Sequence, residues 1–472
     1  MVFSSAVFLF VFFPLMLVLY FLPGFSKNPE KDMAKKNLVL CLASLIFYAW
    51  GEPVYIVLML ISIFFNYNLG IDIENHKNSR KKRKSLLIFG VAFNLFMLGF
   101  FKYSGFIVEN INAVTGNEIE YEGLPLPVGI SFYTFQILSY VIDVYKGEVK
   151  AQKNIVAFGA YISMFPQLIA GPIVQYSDIE KQLTSRTVTI EKFYEGIIYF
   201  IRGLGKKVLF ANTIGAVYSQ VIAGDIASLS VVSAWLAVIC YTLQIYFDFS
   251  GYSDMAVGLG KTFGFEFVQN FNFPYKATSI KDFWSRWHIS LSSWFRDYVY
   301  IPLGGNRKGT KRTIINTMIV WSLTGLWHGA AWNFIAWGMF YGVLLILEKY
   351  VLKDFLEKLP TAVKYMGTMI VVMIGWVFFS SASMGDALTL IGSMTGLGGS
   401  FIDSQAKYLL SENVFLILVM SLSATGIFDF VSNVRTGRTK KICESVLYLA
   451  IFTLCIAYLI SETYNPFLYF RF

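Results

Sequence analysis

Runs of about 20 nearly uncharged residues recur along this chain from its first residues to its last quarter, and they limit the fold more than any motif does. About 20 residues of helix cross a ~30 Å hydrocarbon core. In lipid every backbone N–H and C=O must find its partner within the protein, which leaves helices or closed barrels. Barrel strands read as roughly ten-residue alternating segments, whereas these runs are continuous. Only 15% of the 472 residues are charged and 56% are hydrophobic; a soluble domain carries about 25% charged residues. Too little charge is present to cover a water-facing surface. The expected class is all-α, a polytopic integral membrane protein of about 11–13 helices.

Candidate spans fall near 2–22, 38–50, 53–71, 86–102, 126–145, 154–175, 193–215, 229–250, 313–331, 332–351, 365–382, 413–431 and 443–461. The 38–50 piece is short for a crossing and reads as re-entrant or interfacial. Pro53 after Gly51 and Glu52 suits a helix start. The run at 2–22 lacks a basic flank and a small-residue cleavage site, so it reads as a retained span and not a signal peptide. Basic stretches at 27–36, 77–84, 261–312 and 435–441 belong on the cytoplasmic side. The acidic loop 103–125, with Glu109, Glu118, Glu120 and Glu122, belongs outside. Both termini then lie outside. The net charge of +9 is explained by these loops, and no nucleic acid is implied. Cys41, Cys240, Cys443 and Cys455 have no metal-binding spacing and read as small core residues. Neither a metal nor a resident cofactor is expected. No repeat or soluble domain is visible, so 1–472 reads as a single domain with its motifs within 126–345.

The chain has three histidines. His76 lies in HKNSRKKRK and reads as a solvated or headgroup contact. His328 lies in WSLTGLWHGAAW, among Trp321, Trp327 and Trp332, with no formal charge between Arg312 and Glu348. Gly325 and Gly329 let another backbone come close. An ionisable group inside a span is costly and marks a functional site by default. Burial disfavours the cation, and a neutral imidazole is what a general base needs. The plainer alternative is a structural helix–helix hydrogen bond. His288 lies in IKDFWSRWHISLSSWFRDYVYIPLGG, where Ile280, Trp284, Trp287, Leu291 and Trp294 recur at helical spacing. With Lys281, Asp282, Arg286 and Arg296 interleaved, this segment is too charged to span freely. Upstream, YFDFSGYSDMAVGLGKTFG carries Asp248 and Asp254. Its glycines at 251, 258, 260 and 264 match no phosphate-binding fingerprint, and a structural role is favoured for both carboxylates.

FWSRWHISLSSWFRDYVYIPLGGNRKG followed by LTGLWHGAAWNFIAWG, with the two histidines 40 positions apart, resembles the membrane-bound O-acyltransferase superfamily. More closely, the chain is similar to the membrane subunit of alginate O-acetyltransferases and to teichoic acid D-alanyl transfer proteins. PVGISFYTFQILSYVIDVYKG, FPQLIAGPIVQYSDI and YFDFSGYSDMAVGLGKTFGFEFVQNFNFPY extend the resemblance, which is clear over about residues 1–350. It implies a ring of tilted, broken helices around a central tunnel, entered by a donor from the cytoplasm and by an acceptor from outside. It puts the catalytic histidine at His328 and a second motif residue at His288. Trp287, Arg286, Trp327, Asp248 and Asp254 are read as tunnel-lining or supporting residues.

The implied chemistry is transfer of an acyl group, most simply acetyl, from acyl-CoA or an acyl-carrier thioester to a hydroxyl whose proton His328 accepts. The acceptor is an extracytoplasmic polysaccharide or cell-wall polymer, reached through a separate SGNH-type transferase at a bacterial plasma membrane. The tail 462–472 ends in NPFLYFRF, and its FxYFxF resembles the partner-peptide motif of D-alanylation systems. Tyr469 is therefore a candidate acyl relay, since a phenol of pKa about 10 forms a more activated ester than a sugar hydroxyl. Eleven residues follow Ser461 and at ~3.3 Å each they reach about 36 Å, against about 15 Å to the midplane. The plainer alternative is an aromatic interfacial anchor. Two rival classes stay open: a transporter or flippase using Arg202, Lys206, Asp248 and Asp254 along its path, and a non-catalytic scaffold.

Overall fold

A computed structural model of the protein describes residues 1–22, 29–116, 118–427, 438–461 and 465–468. Helices follow one another along the chain, and no β-strand occurs among the described residues. Seven of these helices are long and apolar enough to cross a membrane: Glu30–Gly51, Ile56–Asn75, Arg80–Thr115, Val231–Thr262, Thr361–Ser380, Ser404–Ala424 and Lys441–Ser461. The fold is all-α and polytopic.

The segment expected to be short is full length, because its helix begins at Pro29 and runs to Gly51. Lys31, Lys35 and Lys36 are good helix formers, and Lys36 pairs with Asp32 one turn back at 2.8 Å. From Pro29 onward the basic stretch is thus helix and not loop. The same holds at 80–84, which opens the 36-residue helix Arg80–Thr115. One other expected span is broken, and a second is continuous but distorted. Pro166 interrupts 154–175 into Ile155–Ser163 and Phe165–Leu168, since a proline cannot donate to the preceding turn. The stretch 193–215 passes from Ile190–Gly205 through a π-turn at Lys206–Ala211 into Asn212–Val221. Cys41, Cys240 and Cys455 are buried as expected, but Cys443 is exposed.

The chain divides into two compact units, Met1–Phe200 with Tyr252–Val268, and Ile201–Gly251 with Gln269–Phe472. The first is tied by buried polar contacts. Asn66 and Asn94 exchange amide hydrogen bonds of 3.0 and 2.8 Å between their helices, satisfying both groups where water is absent. Buried Arg186 donates to the Tyr20 hydroxyl at 2.9 Å and to Asn37 at 2.7 Å, with its guanidinium 4.4 Å from the Phe265 ring centroid. Asp254 belongs to this unit.

In the second unit Gly309–His328 and Trp332–Tyr350 form a helical hairpin closed by three residues. Their backbones touch at Gly325, where an added Cβ would strike the Phe334 carbonyl and come within 3.3 Å of the Gly338 Cα. Thr361–Ser380 packs on the second arm, and Asn333 donates to the Phe378 and Ser381 carbonyls at 3.2 and 2.9 Å.

Candidate active site

The stripe from Ile280 to Trp294 is not one continuous helix. Ile280–Arg286 ends at Trp287, and Ile289–Phe295 begins after His288, which sits in the left-handed region at φ 45°. That conformation is costly for a residue with a Cβ, so neighbouring contacts must hold it. Asn270 supplies them. Its carbonyl oxygen Oδ1 accepts from the Ser290 N–H at 3.2 Å and from the Ser290 hydroxyl at 2.9 Å, and lies 3.0 Å from His288 Nδ1. The Asn270 main-chain carbonyl accepts from the Ile289 N–H at 3.0 Å. The first helix is fixed at its start by Ser279, which accepts from the Asp282 N–H, and by Glu348, which accepts from the Ile280 N–H at 2.6 Å.

His328 is the last residue of its helix, and both histidines are buried. They line one cavity of about 390 Å³ together with Trp284, Trp287, Trp321 and Thr324. Trp327 lies against both imidazoles, with ring centroids 6.2 Å from His288 and 4.9 Å from His328. Trp337 and Phe379 meet the His328 ring edge-on at 5.0 and 5.1 Å, and Phe249 meets His288 at 4.7 Å. The imidazoles are thus packed against aromatic rings. Lys281, Tyr300, Val320, Trp321 and Leu345 also line a second cavity of about 900 Å³, whose further residues include Lys349, Lys353 and Lys364. The buried pair of histidines therefore adjoins a wider, basic vestibule.

The remaining sequence candidates divide. Trp287 lines the cavity, and Trp327 touches both rings without lining it. Asp248 reaches a narrow crevice of about 20 Å³ that also touches Trp287, His328, Trp376 and Leu468. Its carboxylate pairs with Lys207 at 2.6 Å and accepts from the Leu468 N–H at 2.9 Å. Gly251 lets the Lys207 backbone come close, because a Cβ there would lie 2.8 Å from the Gly203 carbonyl and 3.1 Å from the Lys207 main-chain nitrogen. Arg286 does not line the cavity; it pairs with Asp282 at 2.7 Å and braces the first short helix. Asp254 belongs to the other unit. Tyr469 lies outside the described residues. His76 is half-buried, with Nδ1 2.8 Å from the Asp72 carbonyl. Asn270, Lys207, Trp337 and Phe379 were not legible as site residues, since each looks like an ordinary loop or span residue until distant segments are brought together.

A family model described as the membrane-bound O-acyltransferase family matches residues 55–394. The chain is 39% identical to the "Probable alginate O-acetylase AlgI" of Pseudomonas putida, an alignment covering the whole of both chains. It is 34% identical to the "Peptidoglycan O-acetyltransferase" of Helicobacter pylori, over 90% of this chain and 86% of that one. It is 31% identical to the "Teichoic acid D-alanyltransferase" of Bacillus subtilis, over 46% of this chain and 58% of that one. With the family match running across both histidine segments, the chain belongs to the membrane-bound O-acyltransferase family and is an acyltransferase of the membrane.

Proposed function

We propose that this protein takes an acyl group, acetyl in the first instance, from a cytoplasmic thioester and passes it through the bacterial plasma membrane for O-acylation of an extracytoplasmic polysaccharide. The observation that carries this reading is the single aromatic-walled cavity shared by His288 and His328. The polysaccharide acceptor is suggested by the names of the alginate and peptidoglycan relatives. The lysines of the adjoining vestibule suit an anionic donor such as acyl-CoA, whose phosphates would stay among them while the thioester enters the drier cavity. Both compact units act as one acyltransferase domain in this reading, since the family match spans segments of each.

In the reaction, an acceptor hydroxyl oxygen attacks the thioester carbonyl carbon while His328 takes the hydroxyl proton. The C–O bond forms, the C–S bond breaks, and the departing thiolate recovers the proton from the imidazolium. Proton capture makes a cation at the carbonyl end of the Gly309–His328 helix, where the helix dipole favours it. A positioned base contributes roughly 10²–10⁴-fold, and alignment in the cavity adds to it. His288 holds the second position, contacting the substrate within the cavity that it shares with His328. Tyr469 is the first acceptor: its phenyl ester is activated enough to pass the acyl group to the serine of an SGNH-type partner outside. Both chain termini face outward in this scheme.

Purified protein in nanodiscs, given radiolabelled acetyl-CoA, tests the proposal. Wild type should release CoA and place label on the C-terminal peptide; His328→Ala should lose turnover by at least about 10²-fold. A transporter predicts no thioester turnover in either protein. Equal turnover in both removes His328 from the chemistry, and full activity of Tyr469→Phe with no label on the tail removes the relay.

A further inference from the structure

The Lys207–Asp248 pair is among the most enclosed charges in the second unit, each side chain being 3% exposed. A buried ion pair is tolerated when the hydrogen-bonding capacity left over after the pair itself is also met. An ammonium has three donors and a carboxylate about four acceptor sites. Here the additional partners come from one short stretch of main chain. Lys207 Nζ donates to the Pro466 carbonyl, and Asp248 Oδ2 accepts from the Leu468 N–H at 2.9 Å. The ion pair therefore meets the tail main chain at two points, cation to carbonyl and anion to amide. Asn212 adds a bond to the Asn465 side chain at 3.2 Å, which sets the register. The residue between the two clamped groups, Phe467, is 8% exposed, as is Leu468. Leu468 in turn lines the crevice shared with His328.

We propose that Lys207 and Asp248 form a peptide-backbone seat whose ligand is this chain's own C-terminal segment. The seat holds 465–468 against the crevice that Leu468 and His328 both line, one position in the chain before the acceptor of the relay reading. The two charges are positioning residues; they act on the acceptor and touch neither donor nor transferred group. At 466 and 468 the ion pair reads main chain, beside the Asn212–Asn465 side-chain bond, so it tolerates a changed side chain at 468 provided that residue keeps an N–H. This proposal deepens the relay reading above and rests on it for its purpose, but docking is measured without any acyl transfer.

The experiment is hydrogen–deuterium exchange by mass spectrometry on the full chain in nanodiscs, reading the C-terminal peptide against a synthetic peptide of residues 462–472. In wild type the tail amides should exchange at least about tenfold more slowly than in the free peptide, as amides bonded inside a fold do. His328→Ala should leave that protection intact, which separates docking from catalysis. Leu468→Ala keeps the N–H and should stay protected. Leu468→Pro deletes it and should exchange near the free-peptide rate, without touching the helical core. The double change Lys207→Asp with Asp248→Lys restores an ion pair but presents each charge to the wrong backbone group. It should therefore release the tail and lower the denaturation midpoint, because the buried pair loses the partners that met its remaining capacity, while the protein keeps the wild-type helical content. Wild-type exchange at the free-peptide rate overturns the seat, as does protection surviving in Leu468→Pro. Release in Leu468→Ala equal to that in Leu468→Pro overturns the backbone reading.

Discussion

At the scale of single residues, the histidine that the sequence left ambiguous is the one whose geometry is most constrained. A backbone N–H can only donate, so the Asn270 atom accepting from Ser290 N is an oxygen. The same oxygen lies 3.0 Å from His288 Nδ1, which must then carry a hydrogen. In the neutral ring this leaves Nε2 as the acceptor nitrogen. Asn270 thus fixes both the tautomer of His288 and the left-handed turn that aims its ring at Trp327. Asn270→Ala should lower kcat by about 10²-fold, the cost of a misplacement of roughly 1 Å, while the KM for the thioester changes less. Steady-state acetyl transfer checks this, and an unchanged kcat would contradict it.

Among the elements, the hairpin of Gly309–His328 and Trp332–Tyr350 controls where His328 sits. The arms approach closely because Gly325 presents no side chain to Phe334 and Gly338. Gly325→Val forces the arms apart one turn before His328. Overpacking of this kind costs about 1–3 kcal/mol, so the thermal midpoint in detergent should fall by several degrees and turnover should fall with it. Thermal denaturation and transfer assays on the same preparation would show whether both move together. The sequence identified this glycine through its small-xxx-small spacing. It could not identify the break at Trp287–His288, because the apolar stripe keeps helical spacing across it. The break is imposed by Asn270, 18 residues upstream of His288.

Across the whole molecule, the outer surface is that of a protein meant for lipid. Phe415 is 77% exposed, Ile460 79% and Leu449 64%, all on helices long enough to span. Leu449→Asp, near the middle of Lys441–Ser461, should reduce membrane-integrated protein, since a central Asp costs about 2.5–3.5 kcal/mol of insertion free energy. Leu449→Ile should be silent; yields from membrane fractions give the comparison. The all-α polytopic class was determined by the sequence alone, because apolar run length is a local property and lipid permits few backbone solutions. Recognition of the two histidine motifs was also local, each being carried by contiguous residues. Tertiary structure decided what those residues meet. Trp337 and Phe379 come to His328 from later helices, Asn270 to His288 from an earlier loop, and the tail to Lys207 and Asp248 across more than 200 positions. Burial makes such polar contacts obligatory, since a charge or amide removed from water must find a partner. Which partner it finds is set by packing between distant segments, and no local pattern in the chain encodes that choice.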